Sequence, residues 1–184
     1  MDIVPQAPDT IFLAEDEASL YLQATTQPVW SPCGQTPVVR VDPSREKTCF
    51  YGTLDLQSGR VIAMRSAVMN GAAAAVYLRQ VLTAFPERPI LLLWDRAPWH
   101  QGPLVRELLA ENPRLEILPL PVAAPELNPQ EHVWKATRHE VSHNHLQKRS
   151  AQLADQFEKY LTPHVFPCSL LDKLGYNKLR PMFI

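Results

Sequence analysis

The chain is poor in cysteine, and what it has is not arranged for bridging. Cys33, Cys49 and Cys168 are widely spaced, odd in number and free of any CxxC pattern. That argues against a disulfide framework and fits a reducing compartment. Long hydrophobic runs are missing too: runs such as Ile90 to Trp94 are far too short to span a bilayer. The first residues, MDIVPQAP, carry no basic segment followed by an apolar stretch, so no secretory leader is expected and the cytoplasm is the expected location. Neither GxxxxGK[ST] nor GxGxxG occurs, which removes support for a nucleotide-cofactor fold, and without GxSxG a Ser-His-Asp hydrolase has no basis. There is no internal repeat and no low-complexity tract. Nor is there an excess of charge of either sign. A net charge of -1 argues against an autonomous, strongly basic nucleic-acid module. A neutral average can nonetheless conceal a basic face, particularly if an acidic metal site balances it.

What is present is ordinary globular material: 184 residues, 46% apolar and 20% charged. That length suits one domain able to bury roughly two-thirds of its unfolded surface. The 18 prolines sit mostly between periodic segments and punctuate them. Thr10 to Ala14 reads as a buried strand running into Glu15-Asp16-Glu17. A loop rich in Pro, Gly and Ser follows, an insertion at about 18–46, with a short strand expected at Val38 to Val41. Lys47 to Leu56 and Arg60 to Met69 flank Gln57-Ser58-Gly59 as an antiparallel hairpin.

Gly71 to Phe85 is the first clear helix, with Leu78, Val81, Leu82 and Phe85 at helical spacing and Pro86 after it. Ile90 to Trp94 is a strand of the kind buried on both faces. Helices are expected at Pro103 to Glu111, Asn128 to about Asn144 and Ser150 to Leu161, with a strand at Leu115 to Leu120. The last twenty residues are ambiguous. This order predicts an α/β fold, a mixed sheet covered by helices on both faces. Ligands in such sheets lie beyond the carboxyl ends of parallel strands.

Three carboxylates stand where such strands and a helix begin or end. Asp95 closes the apolar run Ile90 to Trp94, although a strand-terminating Asp that caps a turn explains it equally well. His100, five residues on, suits a metal-shell or phosphate contact, or a plain loop histidine. Glu131 follows Asn128 and Pro129, so these residues also make a capping box in which the Glu reaches back to the cap's amide. Lys135 and Arg138 lie roughly on the same helical face, either as i,i+4 partners or as phosphate contacts. Asp16 is flanked by Glu15 and Glu17, and strand alternation sends it to the side opposite both. One register aims Asp16 at a site and the other nominates a Glu. A rival motif, His139-Glu140-Val141-Ser142-His143, matches the HExxH of zinc peptidases, but no downstream GxxH supplies a third ligand.

Taken together, Phe12 to Glu17 (FLAEDE), Leu93 to His100 (LWDRAPWH) and Ala124 to Trp134 (APELNPQEHVW) resemble the motifs of mariner-type DDE transposases, especially their bacterial insertion-sequence branch. The third is the most specific, similar to S-P-D/E-L-N-P-I-E-x-x-W with Gln130 in place of Ile. The second is similar to D-N-A-x-x-H with Arg96 in place of Asn. Trp30 to Gly34 resembles the family's W-x-P-x-G segment. The resemblance runs from about residue 10 to 160.

It implies a ribonuclease-H-like, five-stranded mixed sheet in which Asp16, Asp95 and Glu131 hold two Mg²⁺ or Mn²⁺ ions, with His100, Lys135, Arg138 and Arg96 as DNA or supporting contacts. The implied activity is nicking of transposon ends and their joining to target DNA, typically at TA, within a homodimeric complex near the bacterial nucleoid. The family's N-terminal helix-turn-helix region has no counterpart here, so end recognition is expected from a separate polypeptide. A catalytically silent remnant that binds DNA or assembles with intact transposase is the alternative expectation, and the zinc peptidase a third.

Overall fold

Alternation of apolar residues along five strands, and apolar stripes on four helices, settle how the layers form. The computed structural model describes residues 9–38, 43–122 and 124–166. The strands are β1 (Ile11–Tyr21), β2 (Lys47–Asp55), β3 (Val61–Ser66), β4 (Ile90–Trp94) and β5 (Leu115–Pro119). The helices are α1 (Gly71–Ala84), α2 (Pro103–Glu111), α3 (Pro129–Thr137) and α4 (Ser150–Leu161). They form one mixed sheet in the order β3-β2-β1-β4-β5. β1, β2 and β3 are an antiparallel meander, while β1, β4 and β5 run parallel.

Each face of the sheet has its own core. On one, Ile11, Leu13, Tyr51, Ile90 and Leu92 pack against Leu78 and Val81 of α1 and Leu108 of α2. On the other, Ala14, Ala18, Phe50 and Leu93 pack against Trp134 of α3 and Phe157 of α4. β4 is buried along its whole length, as a central parallel strand with helices on both faces must be. At the hairpin, Gly59 takes a φ of 72°, a conformation glycine adopts without penalty. The preceding Asp55 accepts hydrogen bonds from the amides of Gln57 and Ser58.

Three expectations shift. β1 does not stop at Ala14 but runs to Tyr21, because β2 supplies a partner for every residue from Leu13 to Tyr21. The inserted connection therefore spans 22–46 rather than 18–46. α3 ends at Thr137, and residues 138–142 form a π turn. The expected short strand at Val38 to Val41 falls mainly on residues 39–41, outside the described set; Val38 itself lies in no strand. The ambiguous tail from 167 onward is also outside it.

Candidate active site

β1 and β4 pair only over Ile11–Ala14 and Ile90–Leu93. Beyond that point β1 stays with β2 and β4 stays with β5. The two central parallel strands part company, and a cleft opens at their carboxyl ends. Its volume is ≈ 280 Å³, and Asp16, Asp95, Glu131 and Arg96 line it beside Pro121 and Asn128.

Asp16 comes from β1 on the α3/α4 face, beside Ala14 and Ala18 of that core. Its Oδ2 accepts a hydrogen bond from Trp134 Nε1 at 3.1 Å. The register puts Gly52 of β2 opposite it, and a side chain there would collide with Trp134 and Gln130. A glycine is what lets α3 sit this low on the sheet. Burial first, then the charges of Glu131, Glu17 and Asp95, push the Asp16 carboxyl from its ordinary 3.8 to about 8.

Asp95 leaves the end of β4 with its side chain 47% exposed. Its Oδ1 accepts from the amide of Ala97 at 2.9 Å, so it closes the strand's turn as well as facing the cleft. Arg96 is exposed at the rim.

Glu131 lies in the first turn of α3. Asn128 caps that helix through its side-chain oxygen on the amide of Gln130, and its side-chain NH₂ donates to the Glu15 carbonyl at 2.8 Å. One residue thus starts the helix and ties it to β1. The capping box forms only half. The Asn128 amide is taken by the Pro125 carbonyl at 3.0 Å, so Glu131 is not needed there. Among the described residues no ion pair joins Glu131 to Lys135 or Arg138; Lys135 is exposed and Arg138 half-buried.

His100 is buried, stacked on Trp94 with ring centroids 3.8 Å apart. It bridges two carboxylates: Nδ1 lies 2.9 Å from Asp95 Oδ1, and Nε2 lies 2.9 Å from Glu17 Oε1. Trp99 Nε1 donates to the same Glu17 oxygen. Sequence reasoning left Glu15 and Glu17 as register alternatives to Asp16 and gave Trp134, Trp99 and Gly52 no role. Alternation was the available signal, since it puts both glutamates on one side. Burial, then the charges of Glu17 and Asp16, push the Glu15 carboxyl well above its ordinary range.

The HExxH segment is built for something else. His139 is half of a surface pair with its neighbour Glu140, at 3.0 Å. His143 has left the helix for extended backbone and is bonded to Thr25 at 2.6 Å. The two histidines therefore do not share the helical face that zinc ligation by this motif requires.

The chain matches the model of the DDE superfamily endonucleases over residues 12–154. It belongs to that family. Its similarities are to the mariner and IS630 branch: the insertion element IS630 uncharacterized 39 kDa protein of Shigella sonnei is 24% identical over 155 residues, 83% of this chain and 45% of that protein. Among solved structures, a mariner Mos1 paired-end complex with Mg has a TM-score of 0.62 at 20% identity, covering 83% of this chain and 48% of that one. The catalytic domain of Mos1 mariner transposase has a TM-score of 0.56 at 17% identity, covering 82% and 69%. The likeness establishes a ribonuclease-H-like fold. The chain spans less than half the length of its IS630 relative.

Asp16, Asp95 and Glu131 offer only hard carboxylate oxygens on an open cleft, and the raised Asp16 carboxyl marks a site that gains from a cation. That donor set suits Mg²⁺ or Mn²⁺.

Proposed function

We propose that this chain is the catalytic domain of a DDE-type transposase that cuts and rejoins DNA strands at the ends of an insertion element. The observation that carries this reading is the convergence of Asp16, Asp95 and Glu131 from two strands and a helix start onto one open cleft. Asp16 and Asp95, from diverging parallel strands, and Glu131, from α3, would hold two Mg²⁺ or Mn²⁺ ions. Such ions supply an activated attacking oxygen and a stabilised leaving oxygen for in-line displacement at phosphorus.

The protein's own part is orientation. Trp134 keeps one Asp16 oxygen directed, while His100 and the Ala97 amide hold one Asp95 oxygen and leave the other for the cleft. Arg96 at the rim, Lys135 on α3 and Arg138 just past its end would serve as phosphate contacts. The substrates are transposon ends and a target, with TA the expected target step. The likeness to Mos1 transposase in a paired-end complex with a transposon end and in a strand transfer complex supports DNA as partner and a paired assembly. Nothing in the described residues is a helix long and apolar enough to cross a membrane, and work on DNA places the protein at the bacterial nucleoid.

The test is nicking and joining of DNA in Mg²⁺ or Mn²⁺ by the wild type and by Asp95→Asn. Wild-type activity reduced on the order of 10²–10³-fold or more by the substitution is the expected result. A folded wild type that binds DNA and never nicks it, with either metal, makes the chain an assembly module instead.

A further inference from the structure

On the α1/α2 face of β1, behind the cleft, Glu15, Glu17 and His100 each bring a ligand atom to within 4.8 Å of the others. Glu15 is 0% exposed, and both of its carboxylate oxygens are buried without a hydrogen-bond partner. Trp94, whose indole is near enough to favour the charged form of Glu15, has its Nε1 buried and unpartnered as well. Glu17 and His100 are nearly as enclosed, their side chains 4% and 3% exposed. Among the described residues, His100 is the only ion-pair partner of either glutamate.

The ring of His100 narrows the chemistry. Nδ1 faces two acceptors, Asp95 Oδ1 at 2.9 Å and the Asp95 carbonyl at 3.3 Å, so Nδ1 carries the proton. Nε2 then turns its lone pair toward Glu17 Oε1 at 2.9 Å. Two acceptors at that distance repel unless a positive centre joins them. Glu15, meanwhile, has no hydrogen-bond partner for either of its oxygens. A single divalent cation satisfies all three groups.

We propose that Glu15, Glu17 and His100 form a buried zinc site, separate from the catalytic cleft and on the opposite face of β1. Zinc lies about 2.0–2.2 Å from imidazole nitrogen and carboxylate oxygen, which sets neighbouring ligand atoms roughly 3 Å apart. The His100–Glu17 contact already has that spacing. Two carboxylates and Zn²⁺ sum to zero charge, so the ion neutralises the pocket it is buried in. The mixed nitrogen and oxygen set favours zinc over magnesium. Asp95, on the far nitrogen of His100, completes the carboxylate–histidine–metal arrangement that fixes a ligating ring. The enclosure makes this ion structural, and it steadies a carboxylate that faces the cleft. The site stands on its own geometry and does not require the transposase reading.

The test uses the full chain, stripped with chelator and titrated with Zn²⁺ alone by calorimetry and native mass spectrometry. Wild type and Glu131→Gln, which alters only the cleft, are expected to take one tight equivalent. Glu15→Gln, of the same shape and without the buried charge, is expected to bind at least ~100-fold more weakly. No stoichiometric zinc in the wild type overturns the proposal. So does equal binding by Glu15→Gln, or binding lost in Glu131→Gln and kept in Glu15→Gln, which puts the ion in the cleft. Should Glu15→Gln fail to fold, Co²⁺ in the wild type keeps the question decidable. Imidazole-nitrogen coupling in its pulsed EPR spectrum, lost in His100→Gln, supports the site, and its absence or survival in that variant refutes it.

Discussion

Asp16 and its two neighbours on β1 occupy opposite worlds one residue apart. Asp16 faces a cleft that solvent and a large substrate can enter, with Asp95 and Glu131 across from it. Glu15 and Glu17 face the α1/α2 core, closed over by His100, Trp94 and Trp99. On the proposed reading, the open face gives its carboxylates to cations and substrate. The sealed face spends them on holding the frame, and the two meet at Asp95, which serves the cleft and accepts from His100. Strand alternation turns a run of three acids into a working group and a supporting group.

The sharpest way to break that contrast is Glu131→Gln. On the open face the loss of a carboxylate should cost metal binding and little else, because the amide Glu131 would have capped is served by the Pro125 carbonyl. Calorimetry with Mg²⁺ or Mn²⁺ is expected to show at least ~100-fold weaker binding, with unfolding stability changed by no more than about 0.5 kcal/mol. Intact metal binding with a stability loss of about 1 kcal/mol would make Glu131 a cap and leave the cleft with two ligands.

Trp134→Phe probes the same face more gently. It keeps a ring in the core beside Phe157 and removes the N–H that reaches Asp16 Oδ2. A hydrogen bond to a charged group is worth about 1.5–3 kcal/mol, so metal affinity should fall roughly 10- to 100-fold. Unchanged affinity would mean that Asp16 needs no orienting partner.

Much of this arrangement is legible in the sequence, and the misses have physical reasons. Ile90–Trp94 and Pro103–Glu111 follow from local pattern alone and appear with the expected bounds. The Asn-Pro start of α3 was equally plain, since cap and N1 proline are local chemistry. The side of β1 that faces the cleft was not. Alternation offers two registers, and only similarity to the family's D-E pair picked Asp16. The end of α3 was misjudged because its cause is remote. His143 and Asn144 bond to Thr25, which draws the chain out of the helix into a π turn. His100 reads equally as a metal-shell or phosphate contact and as a plain loop residue, for what decides between them is Glu17, 83 positions away. Trp134 and Gly52 depend on each other across the sheet in the same way.

The smallest effect separates the two faces by pH. Asp16 has its carboxyl raised from 3.8 to about 8 by burial and neighbouring acids, and that of Glu15 is raised for the same reasons. Such groups hold a proton in the folded chain at pH values where the unfolded chain has released it. Their contribution to stability is complete below the unfolded value, near 4, and is lost as pH rises through the folded value. Metal-free protein should therefore melt a few degrees lower at pH 8 than at pH 5, and saturating Mg²⁺ should shrink the difference by favouring ionised Asp16. Asp16→Asn removes the open face's share of the slope, and what survives belongs to the sealed face, where burial raises the Glu15 carboxyl. A metal-free chain whose melting temperature rises from pH 5 to pH 8 would show that neither face stores its acids in the neutral form.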